Sequence, residues 1–323
     1  MKAEDICKVV VVGTGAMGEG IAQNFAQAGL SVLITDIDNG AAERCLAQID
    51  SSLALFRELD LLKEDASLIK SRIAPFPMER LTEVIQKCDL LVEAIPEDLD
   101  LKRSLFSQID ISSQDIILCS NTGSFTISSI SEGLLYPGRV VGLHYFYPAH
   151  IIPLVEIHRG SETDDRAIEV VRDLMYRIGK KPIMVMKEIP GFIVNRIQAA
   201  LSREISYLVD EGVTTPEDLD VAAKASYGFR LACFGPFEIQ DMNGLDSILK
   251  ARNIIVKSLC NSTAPSDVLV KKVEAKELGV KSGRGWYDYK GMSREEIRGK
   301  TNRKLLQQLI LYYSREKTEN QRK

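Results

Sequence analysis

Lys8-Val9-Val10-Val11-Val12-Gly13-Thr14-Gly15-Ala16-Met17-Gly18 is the stretch from which the fold is read. The valine run predicts a buried strand. An apolar helical pattern from Met17 to Ala28, closed by Gly29, predicts a helix directly behind it, and Ser31 to Thr35 is the next strand. A G-x-G-x-x-G turn has chemical meaning in that place. The first glycine permits the tight turn, the second lets backbone approach a pyrophosphate, and the third lets helix and strand pack closely. The helix N-terminus adds unpaired N–H groups and a partial positive charge. Gly13, Gly15, Ala16, Met17 and Gly18 are therefore read as the phosphate cradle of a dinucleotide. Asp36 ends the second strand, where an acid accepts hydrogen bonds from the adenosine ribose hydroxyls. A carboxylate there repels a 2′-phosphate, and no arginine follows until Arg44, so NAD is expected over NADP.

Outward from this unit, short β-branched runs alternate with helical patterns. Further strands are expected at Asp89 to Ile95, Asp115 to Ser120, Arg139 to Tyr145, Pro153 to His158 and Pro182 to Met186. Ala41 to Ile73 reads as a helical hairpin broken near Lys63–Asp65. Such alternation implies a mostly parallel sheet with helices on both faces. After Ile189-Pro190-Gly191 no convincing strand remains. Phe192 to Asp210 is a helical pattern ended by Gly212. Thr215-Pro216-Glu217-Asp218 starts another helix, with a capping Thr, a Pro in first position and acids in the first turn. The expected fold is α/β: a Rossmann-type doubly wound domain (1–188) followed by an all-α C-terminal domain (189–290). A C-terminal helical extension (291–323) carries an apolar face, Leu305, Leu306, Leu309 and Ile310, and then a polar tail from Ser314 expected to fray.

Composition narrows the function classes. At 323 residues the chain exceeds one typical domain, and 45% apolar residues can fill a sizeable core. A net charge of -4 leaves no electrostatic footprint for nucleic acid. The start, Met1 to Cys7, lacks the apolar core of a signal peptide, and no apolar run is long enough to span a bilayer. The 6 cysteines include no Cys-x-x-Cys pair and read as reduced thiols of a cytoplasmic protein, with no metal site.

His144 closes an apolar strand, Val140-Val141-Gly142-Leu143. A lone histidine there is ordinarily a hydrogen-bonded structural residue. Farther on, Glu156 interrupts another apolar strand, Pro153-Leu154-Val155-Glu156-Ile157. A carboxylate in a buried strand is costly unless paired. The two together suggest an imidazole oriented by a carboxylate, as hydride transfer from an alcohol requires. Of the other histidines, His150 reads as a solvated loop residue and His158 as a strand end facing solvent.

Residues 6 to about 290 resemble the 3-hydroxyacyl-CoA dehydrogenase family. The resemblance rests on Val10 to Gly20, Val92-Glu93-Ala94-Ile95-Pro96-Glu97, Ser120-Asn121-Thr122, Gly142-Leu143-His144-Tyr145-Phe146 and Leu154-Val155-Glu156-Ile157. It continues in Pro190-Gly191-Phe192-Ile193-Val194-Asn195-Arg196, Gly235-Pro236-Phe237 and Lys281-Ser282-Gly283-Arg284-Gly285-Trp286-Tyr287. Order and spacing agree as well as content. The resemblance implies a catalytic His144–Glu156 pair, with Asn195 contacting substrate. It also implies Glu97, Lys102 and Asn121 beside the cofactor, catalysis in the cleft between domains, a homodimer through the C-terminal domain, and a place in fatty acid metabolism.

Departures bear on the substrate. Where the family usually reads Ser-Asn-Thr-Ser-Ser, this chain reads Ser120-Asn121-Thr122-Gly123-Ser124, so one hydroxyl near the reacting oxygen is missing. Losing one oriented donor commonly costs about 10²–10³ in rate, unless Ser124 or a water substitutes. Tyr147 replaces the usual Asn. The helical hairpin that helps bind the CoA nucleotide in the family has only Arg44, Arg57, Lys63, Lys70 and Arg72, set among acids. The first reading is oxidation of a 3-hydroxyacyl-CoA. The alternative is a CoA-free 3-hydroxy acid, as in gulonate, carnitine or pyridine-derivative dehydrogenases, with Arg196 and Arg230 as partners of its carboxylate. A third is a non-catalytic cofactor-binding relative like the lens crystallins of this family. Ser120, Ser124 and Tyr147 complete the candidate substrate contacts.

Overall fold

The computed structural model describes residues 1–38 and 40–320. It divides into two units, Met1–Ile193 together with the chain from Thr301 on, and Val194–Lys300.

The first unit is built on one eight-stranded sheet of order β3-β2-β1-β4-β5-β6-β7-β8. Strand β1 (Lys8–Val12) leads through the glycine turn into α1 (Ala16–Gln27), β2 (Ser31–Thr35), α2 (Ala41–Glu58), α3 (Ala66–Ser71) and β3 (Ile73–Pro75). This three-residue strand, absent from the strands the sequence predicts, pairs in parallel with β2, and only Ile73 falls within the expected helical hairpin. It is too short for a period to show. The chain then returns through α4 (Leu81–Val84) to β4 (Leu90–Glu93) on the other side of β1, followed by α5 (Leu99–Ser112), β5 (Ile117–Ser120), α6 (Ile127–Ser131) and β6 (Val140–Tyr145). Strand order reverses between β1 and β4, and at such a switch point a crevice opens at the carboxyl ends of the strands. Strand β7 (Leu154–Arg159) is antiparallel to β6, and α7 (Asp165–Arg177) carries the chain to β8 (Lys181–Val185), which is parallel to β7. One apolar layer, including Phe25, Ile49, Leu53, Val171 and Leu174, lies under α1, α2 and α7. A second, including Leu105, Phe106, Ile109 and Ile130, lies under α5 and α6.

The second unit is helical: α8 (Val194–Asp210), α9 (Pro216–Ala225), α10 (Tyr227–Leu231), α11 (Pro236–Asn243), α12 (Leu245–Ile255) and α13 (Asp267–Glu274). Thr215 caps α9 as its sequence predicts, its Oγ1 accepting from the Asp218 N–H at 3.2 Å. None of these six helices has a buried residue.

Helix α14 (Arg294–Asn320) closes the described chain. From Thr301 on it belongs to the first unit, where Leu306, Phe56 and Ile151 form a third apolar cluster. The sequence expects a fraying tail from Ser314, but the helix runs on to Asn320. Two polar contacts hold it there: Tyr313 Oη donates to the Gly179 carbonyl at 3.0 Å, and Lys181 Nζ meets Glu316 at 2.7 Å. Residues 321–323 of the expected tail lie outside the described residues. Among those described, no helix is long and apolar enough to cross a membrane.

Candidate active site

His144 and Glu156 are direct partners in the antiparallel register of β6 and β7. Cross-strand partners project from the same face of the sheet. His144 Nδ1 and Glu156 Oε2 therefore meet at 2.9 Å. A carboxylate only accepts, so the proton of this bond sits on Nδ1 and the Nε2 lone pair is left for a substrate. Glu156 is fully buried, and its other oxygen accepts the Ile193 N–H at 3.2 Å. A carboxylate so held orients the ring and favours the imidazolium that forms when Nε2 takes a proton.

His158 departs from its expected solvent-facing position: it is 1% exposed. The register places it opposite Gly142, where an added Cβ would fall 2.7 Å from the Cβ of His158. Only a glycine leaves room for that ring beside the His144–Glu156 pair. The ring packs against Phe192, with centroids 3.5 Å apart, and its Nε2 lies 3.9 Å from Glu156 Oε2. Burial pulls the His158 pKa down to about 3, against the Glu156 charge, which raises it. His150, also expected in solvent, is buried as well, tilted against Phe56 with ring centroids 5.9 Å apart.

A second buried polar group sits at the ends of β4 and β5. Lys102, 1% exposed, places its Nζ 2.6 Å from Glu93 Oε1 and 3.3 Å from Glu97 Oε2. Ser120 Oγ donates to Glu93 Oε2 at 2.6 Å. Lys102 thus holds two carboxylates, and the Ser120 hydroxyl is engaged by Glu93. Glu93 had no predicted role, yet it is an acid ending an apolar strand, the same signal that singled out Glu156. Burial pushes its pKa up, and the Lys102 ammonium opposes that rise. Glu97 accepts from Thr122 Oγ1 at 2.6 Å, from the Ser124 N–H at 2.9 Å and from the Gly123 N–H at 3.1 Å. Burial raises its pKa, but the Thr122 hydroxyl, Lys102 and Ser124 outweigh it, and the carboxyl titrates below its ordinary range. Glu97 thus shapes the very loop in which Gly123 replaces the expected serine. Asn121 is tied to β6, its Oδ1 accepting from the Tyr145 N–H at 2.8 Å.

Gly13 has φ +94°, and an added Cβ there would lie 2.6 Å from the Ala94 carbonyl oxygen. At Gly15, by contrast, an added Cβ meets nothing within 4 Å, so that side of the turn is open to a ligand. Gly15 caps α1 without a side-chain hydrogen bond, which leaves the first N–H groups available to an anion. Asp36 Oδ2 accepts from the Thr14 N–H at 2.7 Å and from Thr14 Oγ1 at 3.0 Å, which fixes the acid beside the glycine turn. These residues fit a dinucleotide without a 2′-phosphate. Ser124 and Tyr147 are exposed in the first unit. Asn195 and Arg196 stand in the first turn of α8 and Arg230 in α10, all three in the helical unit.

Comparison with known proteins places this architecture. Residues 8–189 match the family model of the 3-hydroxyacyl-CoA dehydrogenase NAD-binding domain, and residues 191–289 that of its C-terminal domain. The chain is 31% identical over 302 residues to 5-formyl-3-hydroxy-2-methylpyridine 4-carboxylate 5-dehydrogenase of Mesorhizobium japonicum, covering 93% of this chain and 96% of that one. A solved structure of such an enzyme, described as an NAD+-dependent dismutase, superposes with TM-score 0.85 at 30% identity, covering 95% of this chain and 97% of that one. The (S)-3-hydroxybutyryl-CoA dehydrogenase of Ralstonia eutropha superposes with TM-score 0.71 at 34% identity, covering 88% and 99%.

Proposed function

We propose that this chain, which belongs to the 3-hydroxyacyl-CoA dehydrogenase family and is an NAD-dependent dehydrogenase, oxidises a secondary hydroxyl on a small free carboxylic acid. One observation carries the choice of a CoA-free substrate. Three of the five cations of the α2 and α3 hairpin, where the family resemblance puts the CoA nucleotide, already lie against acids. Arg44 pairs with Asp38, Lys70 with Asp50 and Arg72 with Glu64. The cavity there, about 200 Å³, is lined by Arg57, Asp60, Leu62, Glu64, Asp65 and Ala66, three of them acids. A polyphosphate nucleotide entering it would meet net negative charge.

In this reading His144 Nε2 takes the hydroxyl proton, and Glu156 keeps the ring in the Nδ1–H tautomer and stabilises the imidazolium. NAD, when bound, would supply the hydride acceptor, with the glycine turn and Asp36 as the residues that would hold it. Glu97, braced by Lys102, orders the Thr122–Ser124 loop beside it. Arg196 and Arg230 are assigned to the substrate carboxylate and Asn195 to a substrate oxygen, on the resemblance alone. An acyl-CoA substrate is the second reading, favoured by the 34% identity to the Ralstonia eutropha enzyme. A panel of free 3-hydroxy acids with NAD, followed by NADH appearance, tests the proposal when each active acid is reassayed with added CoA. Undiminished turnover supports it. Competitive inhibition by CoA overturns it.

The working form is proposed to be a cytoplasmic homodimer joined through the helical unit. Phe237 is 78% and Ile254 77% exposed in the single chain, far too apolar a surface to be left in water. The absence of disulfides among the described cysteines suits a reducing compartment. Sedimentation at the mass of one chain would reject the dimer.

A further inference from the structure

We propose that His144, Glu156 and His158 form a two-histidine, one-carboxylate site for a divalent metal, at which Zn2+ binds and silences the catalytic base. The three donor atoms all lie within 4.8 Å of one another. His144 Nδ1 and His158 Nε2 approach the same oxygen, Glu156 Oε2, at 2.9 and 3.9 Å. A four-coordinate Zn2+ with bonds of about 2.1 Å needs donors roughly 3.4 Å apart. Side-chain shifts of about 1 Å would bring this triad to that geometry.

An independent observation points to a ligand. His158 is 1% exposed, and neither of its ring nitrogens has a hydrogen-bond partner among the described residues. A buried imidazole without a partner is costly unless something completes it. A metal ion does so while leaving the ring neutral, as a ligand must be. Two imidazoles and one carboxylate leave a fourth position, which water or hydroxide can take. Phe192 stacks on His158 and shields the site, while the His144 side chain, 9% exposed, leaves an edge for entry.

The consequence for catalysis follows from the tautomer. Glu156 now accepts the proton on Nδ1. A metal takes the lone pair at Nδ1, so the ring's single proton must reside on Nε2. Nε2–H has no lone pair for a hydroxyl proton, and the ring neither gains nor loses a proton in the exchange. Inhibition, though not binding, rests on the reading of His144 as the base.

The test uses the full chain, first freed of metal with EDTA. Co2+ is titrated in while the visible d–d absorption of four-coordinate Co2+ is followed, and Zn2+ is then added to displace it. NADH-dependent turnover is measured in parallel with Zn2+, with EDTA reversal, each variant normalised to its own metal-free rate. The proposal expects a saturable band, displacement by Zn2+ and reversible inhibition. In His158→Leu the band and the inhibition should need about 100-fold more metal. His158→Cys returns a ligand, so it should bind Co2+ with an added thiolate-to-metal charge-transfer band, and this variant decides if His158→Leu does not fold. A wild type without the band, a His158→Leu equal to wild type, or a His158→Cys without thiolate coordination each overturns the proposal. A band without inhibition keeps the site and counts against His144 as base.

Discussion

Every residue of β4, β5 and β6 is buried, whereas no residue of α8 to α13 is. The first unit has finished its core and can shelter charge inside it: Lys102 with Glu93, Arg139 with Asp110 at 2.7 Å, and Glu156 with His144. The second unit carries its apolar side chains outward. Preorganised polar groups need a water-excluding frame, which the sheet supplies. The proposed second copy would cover the unburied apolar helices.

The largest expected effect probes the sheltered charge. His144→Ala removes the proposed base, and steady-state kinetics should show kcat/KM lower by about 10³-fold or more. A loss under tenfold would take proton transfer out of the first unit. Next comes the cover of that unit. Leu306 of α14 is fully buried against Phe56 and Ile151, and Leu306→Ala should cost about 3 kcal/mol in urea unfolding. A cost near zero would mean that α14 merely rests on the sheet unit. The outward face of the helical unit is tested by dilution. If a second copy covers it, hundredfold dilution should lower stability by about 2.7 kcal/mol, read as a falling Tm. A Tm independent of concentration would leave that face in solvent and break the comparison.

The smallest effect concerns pH. The folded His158 titrates near 3, against 6.5 for a solvated imidazole. Between those values the unfolded chain binds a proton that the folded chain does not, so stability falls as pH drops from 6.5 towards 3. At pH 5 the loss is about 2 kcal/mol. His158→Leu should remove it, seen as a smaller Tm drop between pH 7 and pH 5 than in wild type. An equal drop would assign the acid sensitivity elsewhere.

Local signals were legible where chemistry and chain order coincide. The glycine turn behind a valine run, Asp36 at the end of the next strand and the Thr215 cap each need only neighbours in sequence. Glu156 was legible because an acid in an apolar strand demands a partner, and the same logic extends to Glu93. His158 was not. Its burial depends on the gap at Gly142 across an antiparallel register and on Phe192 arriving from beyond β8. The reach of α14 past Ser314 likewise depends on Gly179 and Lys181, far back in the chain. The Ser120–Glu93 hydrogen bond likewise depends on β4 and β5 lying side by side.

The most direct test of the substrate reading is NADH oxidation with acetoacetyl-CoA and free acetoacetate offered side by side under identical conditions. No preference for the thioester is expected, with kcat/KM for acetoacetyl-CoA below about 10⁴ M⁻¹s⁻¹, the lower end for a dedicated substrate. Turnover of acetoacetyl-CoA well above that value, with acetoacetate inert, would contradict it and return the hairpin of α2 and α3 to CoA binding.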